Sequence, residues 1–490
     1  MPGSLGLKLL QAVVLLGVMA WTVIAVADGI RQQQQHAAFP TASRGVDPGV
    51  RVLIVNRDPP LAQTSFADVV LFAAQPVEVL APDEPSPDRR LTLRAGARLR
   101  ALPDLVDGLI LNAPEWGRDV RWPVTRVWIR PLLATGQTAP AGPPLRGTPL
   151  SDPRRGEAAD GGPVVTLFQR NDPRSYRGTI EIRLNDARSV LVINHLPIES
   201  YVEGVTACEM APSWPLEALK AQAVISRSVA RAKVAEAART PTLPYDLMDG
   251  LNDQDYRGAG RHGLLVTRAV AETRGVVTVV KGGSLFQPLF CAASGGWTAA
   301  SDAIQPGLKD LSGAVLLAAT VMRPSRDPAS EAGARALSDL STHHRSEVQI
   351  KAETIRRGLA RLLRPRGIEV GWIRDIRVVE RERASGRALR VRINQLPGDP
   401  IELSANEFRL AITDERGRIP IRSTLWSEDS PKRIPDSQGR NDFAFTCFGL
   451  GHGVGLSQVS AWWLASEGKT AREILERFYG GDQLRLVPAW

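Results

Sequence analysis

The sequence predicts a β-rich α+β fold in which strands frame one central helix, preceded by an N-terminal membrane segment. Three observations carry that expectation. Short apolar runs separated by Pro, Asp and Gly clusters fill the first third of the chain, helical periodicity dominates a long stretch near its centre, and an uncharged apolar run opens it. These are the patterns of strands joined by turns, of a helix with a buried stripe, and of a segment that spans or is exported across a bilayer.

After Lys8, residues Leu9 to Ala27 carry no charge, and a run of about 19 apolar residues suffices to cross a bilayer. The run ends in Ala25, Val26 and Ala27, a small-x-small pattern open to a signal peptidase. Residues 1–30 are therefore either a signal-anchor or a cleaved signal peptide, and the body of the chain is exported in both cases. Residues 31–49 are polar and suit a linker. Residues 50–170 form an N-terminal β-rich region with the runs VRVLIV, DVVLFA, VEVL, TRVWIR and VVTLF, interrupted at 135–163 by a Pro/Gly-rich stretch expected to be an exposed loop. A larger region, 171–490, opens with the alternating run YRGTIEIRL.

Composition limits the function. With 490 residues, 43% hydrophobic and 23% charged, the chain can bury a sizeable core. Its 61 Lys and Arg against 52 Asp and Glu give a net charge of +9, spread along the chain, which suits an anionic neighbourhood. No nucleic-acid-binding signature accompanies that charge, so no nucleic-acid partner is expected. Three widely spaced cysteines exclude a disulfide framework and CxxC chemistry, and six scattered histidines lack ligand spacing, so neither a metal nor another cofactor is expected.

The central helix is expected to start at Ser213, Trp214 and Pro215, with serine as the cap and Glu217 facing the positive end, and to run to about Ala238. Leu216, Leu219, Ala223, Ala230 and Val234 define its buried stripe, and Arg227 falls on that stripe. A stripe arginine either runs its stem out to water or meets an acid or an anionic substrate group; the candidate acid is Glu209, in the turn before the helix. A second amphipathic helix is expected over Ala352 to Leu363, and residues 301–345 read as a variable, partly helical insertion at the rim.

The segment ESYVEGVTACEMAPSWPLEALKAQAVISRSVA, Glu199 to Ala230, resembles the signature of the SpoIID/LytB family. Further pieces follow in family order: QDYRG at Gln254, ETRG at Glu272, SGGWT at Ser294, SGR at Ser385, GLGHGVGLSQ at Gly449 and ILERFYGG near the end. Several unlike motifs in one order, across residues 176–482, make the resemblance specific. It implies a SpoIID-like domain and a peptidoglycan lytic transglycosylase that cleaves the bond between N-acetylmuramic acid and N-acetylglucosamine, preferably on denuded glycan strands, leaving 1,6-anhydro ends. It implies Glu209 as the catalytic acid/base and places Arg227, Gln254, Tyr256, Ser294 and His452 around the sugar. It further implies peptidoglycan as the partner, an N-acetylmuramoyl-L-alanine amidase as a second one, and a place in the cell envelope facing the wall. A non-catalytic amidase enhancer is the alternative within the family, and a cysteine peptidase using Cys291 with His452 the alternative outside it. Each cysteine adjoins a motif, which leaves open a Cys208–Cys291 disulfide, a zinc site with His452, or three small buried apolar side chains.

Overall fold

The computed structural model describes residues 49–489 except 56–63, 85, 105, 107, 133–161, 170–171, 241, 251–252, 261–262, 281–284, 286, 302–321, 338–343, 415–417, 436–440 and 481–483. The expected membrane segment, the linker up to residue 48 and most of the Pro/Gly-rich stretch lie outside the described residues. Among the described residues no helix is long and apolar enough to cross a membrane.

The β-rich first region is as expected, because its alternating runs bury one face of each strand. A seven-stranded sheet runs in the order Leu247–Met248, Gly49–Ile54, Ser189–Pro197, Thr179–Asp186, Arg126–Pro131, Val77–Leu80 and Arg90–Leu93. A six-stranded sheet runs Asp172–Tyr176, Val165–Gln169, Val69–Ala73, Arg98–Pro103, Leu109–Asn112 and Asp119–Trp122. Both sheets contribute to one apolar cluster that includes Val52, Leu71, Leu99, Leu109, Ile129 and Ile182. The strand Ser189–Pro197 leads directly into helix α1, Ile198–Glu209, whose Ile198, Tyr201, Val202 and Val205 complete that cluster.

Helix α2 spans Leu216–Ala237. Its cap is Pro215, with no side-chain capping bond, and not Ser213: proline pre-sets φ and gives up an N–H that a helix start leaves unbonded anyway. The expected single stripe is also too narrow. Ala223, Ala230 and Val234 pack into the cluster under the sheets, whereas Ala218, Leu219, Ala221, Val224 and Ile225 pack into a second one. A helix wedged between two cores must be apolar on two sides. The second cluster draws on α3 (Leu264–Glu272), on the strand Val276–Val280 and on the last two helices, α7 (Gln458–Ser466) and α8 (Ala471–Phe478).

Between these parts of the second cluster the chain builds α4 (Pro328–Ala336), α5 (Ala352–Leu363) and α6 (Ala405–Ala411). Helix α5 has the bounds the sequence predicts, since Ile355, Leu359 and Leu363 recur on its buried face. With α6 and the strands Arg345–Lys351, Trp372–Arg381, Ala388–Leu396, Ile401–Ser404 and Asn441–Phe448 it encloses a third apolar cluster. The rim position expected for 301–345 does not hold for its described part. Met322, Asp327 and Ala334 are fully buried, and Gly333 sits so close to Val459 of α7 that an added Cβ would lie 2.6 Å from its carbonyl oxygen.

One ion pair joins α1, α2 and the strand Val276–Val280. Arg227 is fully buried and donates from Nε and Nη2 to the two carboxylate oxygens of Glu199, at 2.8 and 2.7 Å, and from Nη1 to the carbonyl of Val276 at 3.1 Å. Glu199 Oε1 also accepts from the backbone N–H of Gly275 at 2.9 Å. Arg227→Ala leaves that carboxylate buried without its cation and should cost about 3–5 kcal/mol of unfolding free energy. Replacing both partners by apolar residues of similar volume, Arg227→Met with Glu199→Leu, should recover most of the loss. Urea denaturation of the single and double variants measures both.

Candidate functional site

Glu209 is the last residue of α1. The sequence reading put it in a turn before the N-terminus of α2; the structure puts it at the C-terminal end of another helix, where the backbone dipole disfavours a negative charge instead of stabilising it. The side chain is partly buried beside the buried Met210. Its Oε1 accepts from the backbone N–H of Asp255 at 2.9 Å, and its Oε2 accepts from the amide of Gln458 at 3.3 Å. Burial pushes the carboxyl up to about 7, helped by the nearby Asp255 charge; the two donors and the more distant Arg257 act in the opposite direction and do not cancel it. Arg257 is itself held by Asp255 at 3.1 Å.

Of the five residues expected around the sugar, Gln254 and Tyr256 flank the Asp255 whose N–H bonds Glu209, and Ser294 bonds the Ser457 that precedes Gln458; Arg227 and His452 are engaged with other partners. Arg227 belongs to Glu199, and its guanidinium is spent on protein partners. A cation bonded to Glu209 would have held the acid ionised; Arg227 bonds Glu199 instead. Gln254 and Tyr256 are buried on either side of Asp255, because in extended backbone alternate residues point to opposite faces. Gln254 accepts from the Tyr201 hydroxyl at 3.2 Å and Tyr256 donates to Asn194 at 2.8 Å, so the pair fixes the backbone whose middle N–H reaches Glu209. Gly204 of α1 makes room for this, since a Cβ there would come within 2.7 Å of the Tyr256 ring.

Ser294 is fully buried and donates to Asp327 at 2.6 Å. His452 is partly buried, its Nδ1 accepting from the Val454 N–H at 3.1 Å while the ring also bonds the Phe290 backbone. Burial, reinforced by Arg409 and Arg387, drives its imidazole down to about 3, so it is neutral at physiological pH. The loops carrying Ser294 and His452 are bridged backbone to backbone at Ala293 and Leu450. Arg387 of the SGR motif clamps them: it is fully buried, donates to the carbonyls of Ser294 and Trp297, and lies flat against Gly453, where an added Cβ would fall 2.1 Å from Cζ.

Gln458 escaped the sequence reading although it ends the GLGHGVGLSQ motif. It starts α7, and its amide reaches both Glu209 and, at 3.4 Å, Gln222 of α2. A signal was present: a polar residue at a helix start, where its neighbours turn inward. None of Cys208, Cys291 and Cys447 is in a disulfide. Cys291 is buried with its thiol pushed up to about 12, which is the reverse of an activated nucleophile. With His452 neutral and bonded to backbone, the peptidase alternative loses its nucleophile.

Stability should record the state of Glu209. An acid whose pKa is raised on folding stabilises the protein fully below its unfolded value near 4.5, and that contribution is lost as pH rises through about 7. Glu209→Gln should therefore leave stability at pH 4 nearly unchanged and raise it at pH 8 by up to about 3 kcal/mol. Urea denaturation of the variant at the two pH values measures the difference.

Residues 186–279, which contain α1, α2, Glu209 and the Gln254–Tyr256 segment, match the family model of the stage II sporulation protein, SpoIID. Residues 335–455, which contain the third apolar cluster, match the model of a domain of unknown function, DUF8618. The chain is 27% identical over 322 residues to an uncharacterized protein of Brachyspira hyodysenteriae, covering 64% of this chain and 73% of that one. It is 25% identical over 315 residues to stage II sporulation protein D of Bacillus subtilis, covering 61% and 77%, and 24% identical over 305 residues to that of Bacillus amyloliquefaciens, covering 59% and 74%. Residues 186–279 thus resemble the SpoIID family, and 61% of the chain is similar to stage II sporulation protein D of Bacillus subtilis.

Proposed function

We propose that the protein is a lytic transglycosylase of the cell wall, cutting the glycan strand between N-acetylmuramic acid and N-acetylglucosamine with Glu209 as sole acid/base. The observation that carries this reading is a partly exposed carboxyl with its pKa raised to about 7, in a segment that resembles a family related to sporulation and the cell wall. Cleavage without water needs a group that first protonates the leaving oxygen and then takes a proton from the C6 hydroxyl as that oxygen closes on the anomeric carbon. A carboxyl with a pKa near neutrality performs both steps at similar cost. Oε1 is fixed by the shorter bond from Asp255 N–H, while Oε2 has only the 3.3 Å contact with Gln458 and is the oxygen available to carry the proton. No second carboxylate is required, unlike in paired-acid glycosidases.

In this reading Arg227, Gln254, Tyr256, Ser294 and His452 serve the acid by holding its surroundings. The glycan meets Glu209, Arg257 and the exposed side of the α1–α2 turn. Export, with residues 1–30 as anchor or signal, and cooperation with an amidase belong to the same proposal. The alternative role as a non-catalytic enhancer uses the same surface to hold glycan.

Incubation with denuded glycan strands and analysis of the products test the reading. The wild-type protein should release 1,6-anhydro fragments, and Glu209→Gln should bind the strands yet lose cleavage by at least about a hundredfold, because an amide supplies no proton. Intact glycan with wild-type protein, together with stimulation of an amidase, supports the enhancer instead.

A further inference from the structure

Asp327 lies in the 301–345 segment that the sequence reading set aside. It is fully buried at the N-cap of α4, and among the described residues the charge that acts on it is the more distant Arg477. Its Oδ2 accepts from two hydroxyls, Ser294 at 2.6 Å and Ser460 at 2.7 Å. Ser460 Oγ is also 2.7 Å from Ser457 Oγ. Ser460 Oγ is the donor in both contacts, so its single proton divides between Asp327 and Ser457. Ser457 caps α7, accepting from the Ser460 N–H at 3.4 Å, and takes the Ser294 N–H at the same distance. Ser460 thus ties the Asp327 carboxyl to the serine that caps α7. The residue between the two α7 serines and their helix start is Gln458, whose amide meets Glu209.

A buried carboxyl is expensive unless it does something the hydroxyls alone cannot. A third serine in its place could donate one bond and accept weakly; the Asp327 carboxyl, whose pKa burial raises, takes both hydroxyls on one oxygen. We propose that Asp327 is a positioning residue for the acid/base, locking the first turn of α7 through Ser460 and Ser457 so that Gln458 presents its amide to Glu209. This rests on the reading of Glu209 as acid/base, but its consequence for Glu209 does not require that glycan be cut. The amide bond favours the ionised carboxylate, so freeing Gln458 raises the Glu209 midpoint. The other groups facing Glu209, namely Asp255 and Arg257 on the loop and Tyr201 on α1, stay in place.

The test is a titration of the full chain labelled with 13C-carboxyl glutamate, the Glu209 resonance being assigned by its absence in Glu209→Gln. Gln458→Ala should raise the midpoint by about one pH unit. Asp327→Ala should raise it comparably, and the double variant should go no higher than Gln458→Ala alone. Asp327→Asn, which still accepts from both serines, should stay within a few tenths of a unit of wild type. A midpoint unmoved by Asp327→Ala, or shifts that add in the double variant, overturns the proposal. If Asp327→Ala does not fold, Ser460→Ala decides in its place: an upward shift supports the tie through Ser460 and an unchanged midpoint overturns it. Failure of wild-type protein to cleave glycan would remove the transglycosylase reading and leave this titration intact.

Discussion

The buried pair of Glu199 and Arg227 is the constraint on which the arrangement around Glu209 depends. It ties the start of α1 to the middle of α2 and to the strand that follows α3, so the end of α1, and with it Glu209, is fixed relative to everything packed on α2. It also decides a charge question. The chain places one arginine on the buried face of the helix nearest the acid, and had that arginine reached Glu209 it would have held the carboxyl ionised and unable to donate. Glu199 takes the cation instead. The acid is left at a helix C-terminus, with Asp255 beside it and Arg257 partly neutralised by that same aspartate, surroundings that favour the protonated form.

The support around the acid is built of polar side chains turned inward. Gln254 and Tyr256 hold the backbone that reaches Oε1, Gln458 reaches Oε2, and Arg387 binds the Ser294 and His452 loops together. Burying so many polar groups is unfavourable unless they find partners; the partners present come from distant parts of the chain, Gln458 lying 249 residues from Glu209, whereas Gln254 Nε2 and Arg387 Nε and Nη1 find none among the described residues. Precision at the acid therefore depends on the closure of the whole fold around α2. This gives residues 322–337 a place inside the structure, with Asp327 under the Ser294 loop and α4 against α7.

Much of this was legible in the sequence. The strand runs and α5 follow from period and composition, and the motif singles out Glu209 as the proposed acid. What could not be read was direction. Buried and exposed polar residues look alike in a sequence, so Arg227, Gln254, Tyr256 and Ser294 read as sugar contacts when their side chains are spent on protein partners. Helix α1 was missed because its residues follow a strand without an intervening turn signal and Gly204 interrupts it; that glycine answers to the Tyr256 ring, which lies 52 positions further along the chain. Glu199 read as an ordinary charge because its partner is 28 residues away. Asp327 carried no local signal at all, since its serine partners, Ser294 and Ser460, lie 33 and 133 residues away.

The central claim is that Glu209 donates a proton to a glycosidic oxygen from a pKa near neutrality. The direct measurement is the initial rate of 1,6-anhydro product release from denuded glycan as a function of pH. The account predicts a rate that declines tenfold per pH unit above a midpoint at about 7, and a midpoint that follows the Glu209 titration when Gln458 is replaced. A rate unchanged to pH 9, or one that has already collapsed by pH 5.5 as for an ordinary glutamate, would contradict it.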